Sequence, residues 1–281
     1  MRIRGAWFVA VGLTVAVATA GLLVVTRAGA DTDRCAEFRA AARERAGLVT
    51  GSGRDVLVIG DSYSVGFGVA ASQSWPTRLP GQVHVDGFSG SGFSRDASGC
   101  GDFSYGARAS RSLPDQPDLV VVEGGLNDFD QPRRAIRAGF AALMTELAGR
   151  QVLVVGPVPA PDRARAVPAV DAQLARLSEK YGVGYLSMLD ADLSYLDDGL
   201  HLTAAGHREF GDRVAAAVWR GAASAPAANV RPGERRPGRA TARRRCEARL
   251  GVLRASATPP ACVLGVAQRA NVGGRGTRLT G

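Results

Sequence analysis

Short runs of β-branched and other apolar residues recur along the middle of the chain. Asp55 to Ile59 is the first, and it stops at Gly60. Gln82 to Val85, Leu119 to Val122, Val152 to Val155 and Val183 to Leu186 repeat the pattern. Such short apolar runs, bounded by turn residues, predict buried strands. Between the later runs the apolar spacing lengthens, predicting helices over Arg133 to Leu147, Ala169 to Tyr181 and Thr203 to Trp219. Thr203 stands where an N-cap hydroxyl belongs. Strands alternating with helices predict an α/β fold: three α/β/α layers around a mainly parallel, five-stranded sheet.

In such sheets chemistry gathers beyond the carboxyl ends of the strands. The polar and glycine-rich segments fall there: residues 60–64 after the first strand, 87–92 after the second and 123–128 after the third. Three short loops, Phe93 to Pro117, Pro157 to Pro168 and Leu189 to Asp197, are left to shape any pocket.

The flanks have a different character. Arg2 and Arg4 precede an apolar run from Gly5 to Val25, about as long as the roughly 20 residues that span a bilayer. Basic residues stay on the cytoplasmic side, so the remainder of the chain is expected to be exported. Ala28-Gly29-Ala30 resembles a cleavage site, so residues 1–30 read equally as a signal peptide or a retained anchor. Residues 31–53 read as a connector, polar with helical character and then glycine-rich. Residues 54–221 form the periodic domain. Residues 222–281, rich in Arg, Pro, Gly and Ala, read as a disordered tail.

Charge changes this picture only in the tail. The net charge is +9, but residues 222–281 hold twelve arginines against two glutamates. The rest is close to neutral, so no nucleic-acid partner is expected for the domain. Cys35, Cys100, Cys246 and Cys262 form no CxxC pair and have no metal-type spacing to histidine. In an exported domain Cys35 and Cys100 could pair, and free or tail-paired thiols are the equal alternative.

Three histidines occur, His84, His201 and His207. His84 lies within the second strand and His207 one turn into the last helix, where it is expected to face solvent. His201 ends Asp197-Asp198-Gly199-Leu200-His201. A carboxylate three residues before a histidine, with glycine between, can bend back to hold the imidazole's second nitrogen. Ser62, in Gly60-Asp61-Ser62-Tyr63-Ser64, comes directly after a strand and is expected to open a helix whose N-terminus favours negative charge. The spacing is neither a G-x-S-x-G elbow nor a nucleotide-binding glycine loop. Gly87-Phe88-Ser89-Gly90-Ser91-Gly92 offers backbone N–H groups, and Gly124-Gly125-Leu126-Asn127-Asp128 an uncharged amide, as donors to an oxyanion.

GDSYS at 60–64, the glycine turn ending near Gly90, GGLND at 124–128 and DGLH at 198–201 together resemble the four blocks of the SGNH/GDSL hydrolases. Ser64-Val65-Gly66 through Ser74-Trp75-Pro76 is similar to the thioesterase/lysophospholipase branch. The resemblance covers about residues 54–220 and implies a flavodoxin-like sheet. It implies Ser62 as nucleophile, His201 as base and Asp198 as its partner. The Ser62 N–H, the Gly90 N–H and the Asn127 amide would form the oxyanion hole. Gly92 is the alternative to Gly90, and Asp197 to Asp198, although the three-residue spacing favours Asp198. No metal or organic cofactor is required for the expected Ser-His-Asp esterase. Its substrate would be a small-molecule, lipid or acetylated-glycan ester. Acyl transfer to an envelope sugar, or binding without turnover, are the rival functions.

Overall fold

The computed structural model describes residues 31–112 and 117–224. The expected leader or anchor, residues 1–30, lies outside them, as do Cys246, Cys262 and the expected tail from residue 225 onward.

Residues 31–46 form helix α1. Then come β1 (Asp55–Gly60), α2 (Ser62–Val65), β2 (Gln82–Gly87), α3 (Tyr105–Ser112), β3 (Leu119–Glu123), α4 (Arg133–Glu146), β4 (Val152–Val155), α5 (Val167–Tyr181), β5 (Gly184–Leu186) and α6 (Ala204–Ser224). The five strands pair in parallel in the order β2-β1-β3-β4-β5. This is the flavodoxin-like order, and it reverses direction between β1 and β3. A crevice opens at such a reversal, and the segments after β1 and β3 carry Ser62 and Asn127.

The period of two along each strand divides the core. Val56 and Val58 of β1 join Val83, Val85 and Val121 on one face, under Trp75 of a short turn and Phe210 and Val214 of α6. Leu57 and Ile59 join Val120, Val122 and Val154 on the other, under Phe140 and Leu143 of α4 and Leu174 of α5. A strand buried on both faces needs a continuous apolar run, which is why the strands stand out in the sequence.

Three elements differ from the sequence expectation. Helix α3 falls in what reads as a loop. Its buried residues are Tyr105, Gly106, Arg108 and Ala109, so it has no apolar stripe to betray it. His207 is only 1% exposed rather than facing solvent, because it shares the core face of α6 with Phe210 and Val214. Residues 31–46 are pinned to the domain: Cys35 is disulfide-bonded to Cys100, and Phe38 meets Phe88 edge-on. Past α1, Thr50 bridges Val83 and covers part of the outer edge of β2. Among the described residues no helix is long and apolar enough to cross a membrane.

Candidate active site

The turn after β1 is tight because Gly60 leaves room for it. A Cβ there would lie 2.0 Å from Ser64 Oγ and 2.7 Å from Glu123 Oε2. Asp61 caps α2, its Oδ1 accepting from the Tyr63 N–H at 2.9 Å. Ser62 is next, buried but for its outer edge at 8% exposure. Helix α2 is a single turn ending at Gly66 in the left-handed region. The expected dipole support for negative charge is therefore small, and the orphan N–H groups themselves are what the turn offers.

His201 meets Asp198 as the spacing predicts. Asp198 Oδ2 lies 2.6 Å from His201 Nδ1, and Oδ1 accepts from the Leu200 and His201 N–H groups, each at 2.9 Å. Desolvation would raise the Asp198 carboxyl, but the bonds from His201 and Leu200 outweigh it and hold it down at about 2. Asp198 therefore stays charged beside the ring, and Asp197 is not the residue that bonds it.

Two contacts bring the Ser62 and His201 segments together across the fold. Tyr63 Oη donates to the Leu200 carbonyl at 2.5 Å. The Phe67 ring lies over the His201 ring, centroids 4.2 Å apart. Among the described residues no hydrogen bond joins Ser62 Oγ to His201. The His201 ring bonds Asp198 through Nδ1, which leaves Nε2 without a hydrogen bond among the described residues. Hydrogen bonds of this kind are commonly long in unliganded sites and tighten when substrate binds.

The glycine turn is fixed by buried polar groups on three sides. Asn127 Nδ2 donates to the Ser91 carbonyl at 2.9 Å and to Asp61 Oδ2 at 3.2 Å. Asp128 accepts from the Phe93 and Ser94 N–H groups. Arg108, 4% exposed, donates through Nη2 to the Gly60 carbonyl and Ser91 Oγ, and through Nη1 to Asp86. Gly90 takes a positive φ of 80°, open to glycine without strain. Gly92 answers a different need, since a Cβ there would lie 2.5 Å from Asp128 Oδ2. No backbone acceptor among the described residues takes the Ser62 or the Gly90 N–H. Both amide hydrogens of Asn127 are engaged, so to serve as an oxyanion donor one would have to turn from Asp61 or Ser91.

Beneath Ser62 lies a buried acid pair that sequence reasoning missed. Burial raises the Asp61 carboxyl, and burial together with the Asp61 charge raises Glu123. Ser64 Oγ donates to Glu123 Oε2 at 2.6 Å. Asp61 was visible inside the first motif. Tyr63 lies in the same motif and Glu123 opens the segment 123–128, but the pairing of either is not local. Arg108, Phe67 and Arg163 carry no local signal, because the contacts that place them in the site lie far away in the chain. His84 sits beside Gln82, away from this cluster, with ring Nε2 and amide Nε2 3.3 Å apart. Among the described residues no group of His, Cys, Asp and Glu could hold a metal ion.

The arrangement can deprotonate a hydroxyl and stabilise an oxyanion. Comparison with known proteins points the same way. Residues 58–209, more than half of the chain, match the model of the GDSL-like Lipase/Acylhydrolase family. Among solved structures the chain is similar to Est24, a carbohydrate acetylesterase from Sinorhizobium meliloti, at 22% identity and a TM-score of 0.50, covering 60% of this chain and 99% of that one. A carbohydrate acetylesterase family member from the same organism gives 18% identity and a TM-score of 0.51, covering 60% and 98%. An active-site mutant of a family two carbohydrate esterase from Clostridium thermocellum gives 15% and 0.51, covering 62% and 65%. At these identities the likeness speaks for the fold. No curated protein matches the chain.

Proposed function

Since the chain belongs to the GDSL-like lipase/acylhydrolase family, we propose that it is an exported serine esterase in which Ser62 attacks a carboxylic ester and His201, held by Asp198, moves the proton. His201 takes the Ser62 proton as Oγ bonds to the ester carbonyl carbon. The developing oxyanion is received by the Ser62 and Gly90 N–H groups and the Asn127 amide. His201 then protonates the leaving alcohol oxygen as the acyl–oxygen bond breaks. Water, deprotonated by the same ring, releases the acid and restores Ser62.

The 2.6 Å contact between Asp198 Oδ2 and His201 Nδ1 carries this reading. It leaves the ring one free nitrogen, and a charged carboxylate steadies the imidazolium when it forms. Export is supported by the basic-then-apolar start of the chain and by the Cys35–Cys100 disulfide, a bond that persists in oxidising compartments. As substrates we favour small esters and acetylated glycans. The carbohydrate acetylesterases among the similar structures support that choice, as does the exposed Phe67 ring on the rim, a flat surface on which a sugar can rest.

The test compares wild type with Ser62→Ala on p-nitrophenyl acetate and on a panel of acetylated glycans. Wild-type protein should hydrolyse esters and take a fluorophosphonate label, and Ser62→Ala should do neither. Equal rates for the two proteins would refute the assignment.

A further inference from the structure

The amide of Asn127 is held from both ends. Its Nδ2 faces Ser91 and Asp61. Its Oδ1 accepts from Arg163 Nη1 at 3.0 Å. The same Nη1 donates to the Leu126 carbonyl at 2.7 Å, so one nitrogen grips the backbone before Asn127 and the side chain of Asn127 itself. The Arg163 side chain is 15% exposed, its guanidinium carbon lies 4.2 Å from the centre of the Phe129 ring, and its Nε faces Asp162 Oδ2 at 3.6 Å. A planar cation held on several sides keeps its aim, which a flexible ammonium would not.

Arg163 ends the short turn Pro161–Arg163 after β4. The neighbouring Asp162 N–H donates to the Gly199 carbonyl at 3.0 Å, inside the turn that carries Asp198 and His201. One loop therefore touches the oxyanion side of the site through Arg163 and the base side through Asp162. The cation also stands close enough to favour the charged form of the buried Asp61.

We propose that Arg163 is a positioning residue for the reaction. By occupying Oδ1 it fixes the flip state of the Asn127 amide, keeps Nδ2 on the side of Asp61 and Ser91, and sets a positive charge behind the donor. The proposal rests on the esterase reading above. An amide free to rotate would present an oxygen to the oxyanion for part of the time. The benefit is felt where charge develops on the substrate oxygen, so it belongs to kcat more than to KM.

The experiment measures kcat and KM on p-nitrophenyl acetate for full-length Arg163→Met, Arg163→Lys, Arg165→Met, Asn127→Ala and the Arg163→Met/Asn127→Ala double variant. Ser62→Ala runs alongside. Removing an oxyanion donor outright costs roughly 10²–10³ in turnover, so loosening one should cost about tenfold in Arg163→Met, with KM within about twofold. Arg163→Lys, which can keep one bond and the charge, should recover part of the loss. Arg165→Met removes an exposed charge from the same loop and should match wild type. The double variant should be no slower than Asn127→Ala within about twofold, since Arg163 acts through that amide.

Wild-type kcat in Arg163→Met would overturn the proposal. So would losses that multiply in the double variant, or an equal loss in Arg165→Met. If Arg163→Met loses its cooperative melt, Arg163→Lys, alone and combined with Asn127→Ala, decides: unaltered kcat counts against the proposal whatever KM does, and a kcat loss that vanishes in the Asn127→Ala background supports it. An inactive Ser62→Ala with an unaffected Arg163→Met sinks this proposal alone. An active Ser62→Ala sinks the esterase reading beneath it.

Discussion

Replacing Cys35 and Cys100 together by serine tests whether α1 is a working part of the hydrolase domain. The bond joins residues 65 apart. In the chain-entropy description, closing a loop of that length restricts the unfolded chain by about 4 kcal/mol. The folded side adds little to that figure, since serine fits where the sulfurs stood and Phe38 keeps its contact with Phe88. The assay is urea unfolding of the full chain, oxidised wild type against the double variant, monitored by tryptophan fluorescence. With a slope of about 2–3 kcal/mol per molar urea, the midpoint should fall by roughly 1.3–2 M. The reduced wild type should unfold where the double variant does. Activity offers a second readout, because Phe38 packs against Phe88 and lies 3.7 Å from where a Gly90 Cβ would stand. Loosening α1 should slow turnover by about threefold through the glycine turn, since small misplacements at a reacting centre are felt in rate. A stability loss under about 1 kcal/mol, with unchanged kcat, would refute both the loop argument and the docking of α1.

Asp198→Ala should lower kcat by about 10³–10⁴ while the protein stays folded, because the imidazole loses its orienting anion; a loss under tenfold would count against its role. Asn127→Ala should cost about 10²–10³ in kcat on the same substrate, checked by steady-state kinetics. His207 is buried with both ring nitrogens unpartnered among the described residues, and desolvation, then the His201 charge, lower it to about 4. The unfolded chain takes up that proton first, so stability should drain away as pH falls from about 6.5 toward 4, by about 2–3 kcal/mol. His207→Leu should flatten this part of the urea-stability profile, and an unchanged profile would show that other groups control it. Gly60→Ala should destabilise by about 1–3 kcal/mol, because its methyl would displace Ser64 and Glu123; a neutral melting temperature would contradict the close approach.

The strands are legible because burial on both faces demands an unbroken apolar run, and Val152–Val155 can be read to the residue. The site is legible where its parts are local. The Asp198–His201 pair needs only a four-residue turn, and Ser62 needs only a glycine-ended strand. What stays hidden is held by contacts across the fold. Arg108 ties the ends of β1 and β2 to the glycine turn, yet in the sequence it is one arginine among many. Arg163 sits close to Arg165, and nothing local says which of them turns inward. The charge of +9 misleads until it is traced to the tail, and His207 misleads because a helix face cannot be assigned from a single polar position.

If His201 is the base, as proposed, its position in the chain decides when the protein becomes able to act. The last strand ends at Leu186, while Asp198 and His201 come later and α6 later still. An emerging chain thus presents all five strands and Ser62 before it presents the proposed base. Tyr63 must wait for Leu200, and Trp75 for Phe210, before the two halves of the crevice can meet. On the proposed mechanism, hydrolytic competence would then be the final property the molecule acquires, and a product truncated before residue 201 should leave p-nitrophenyl acetate unhydrolysed.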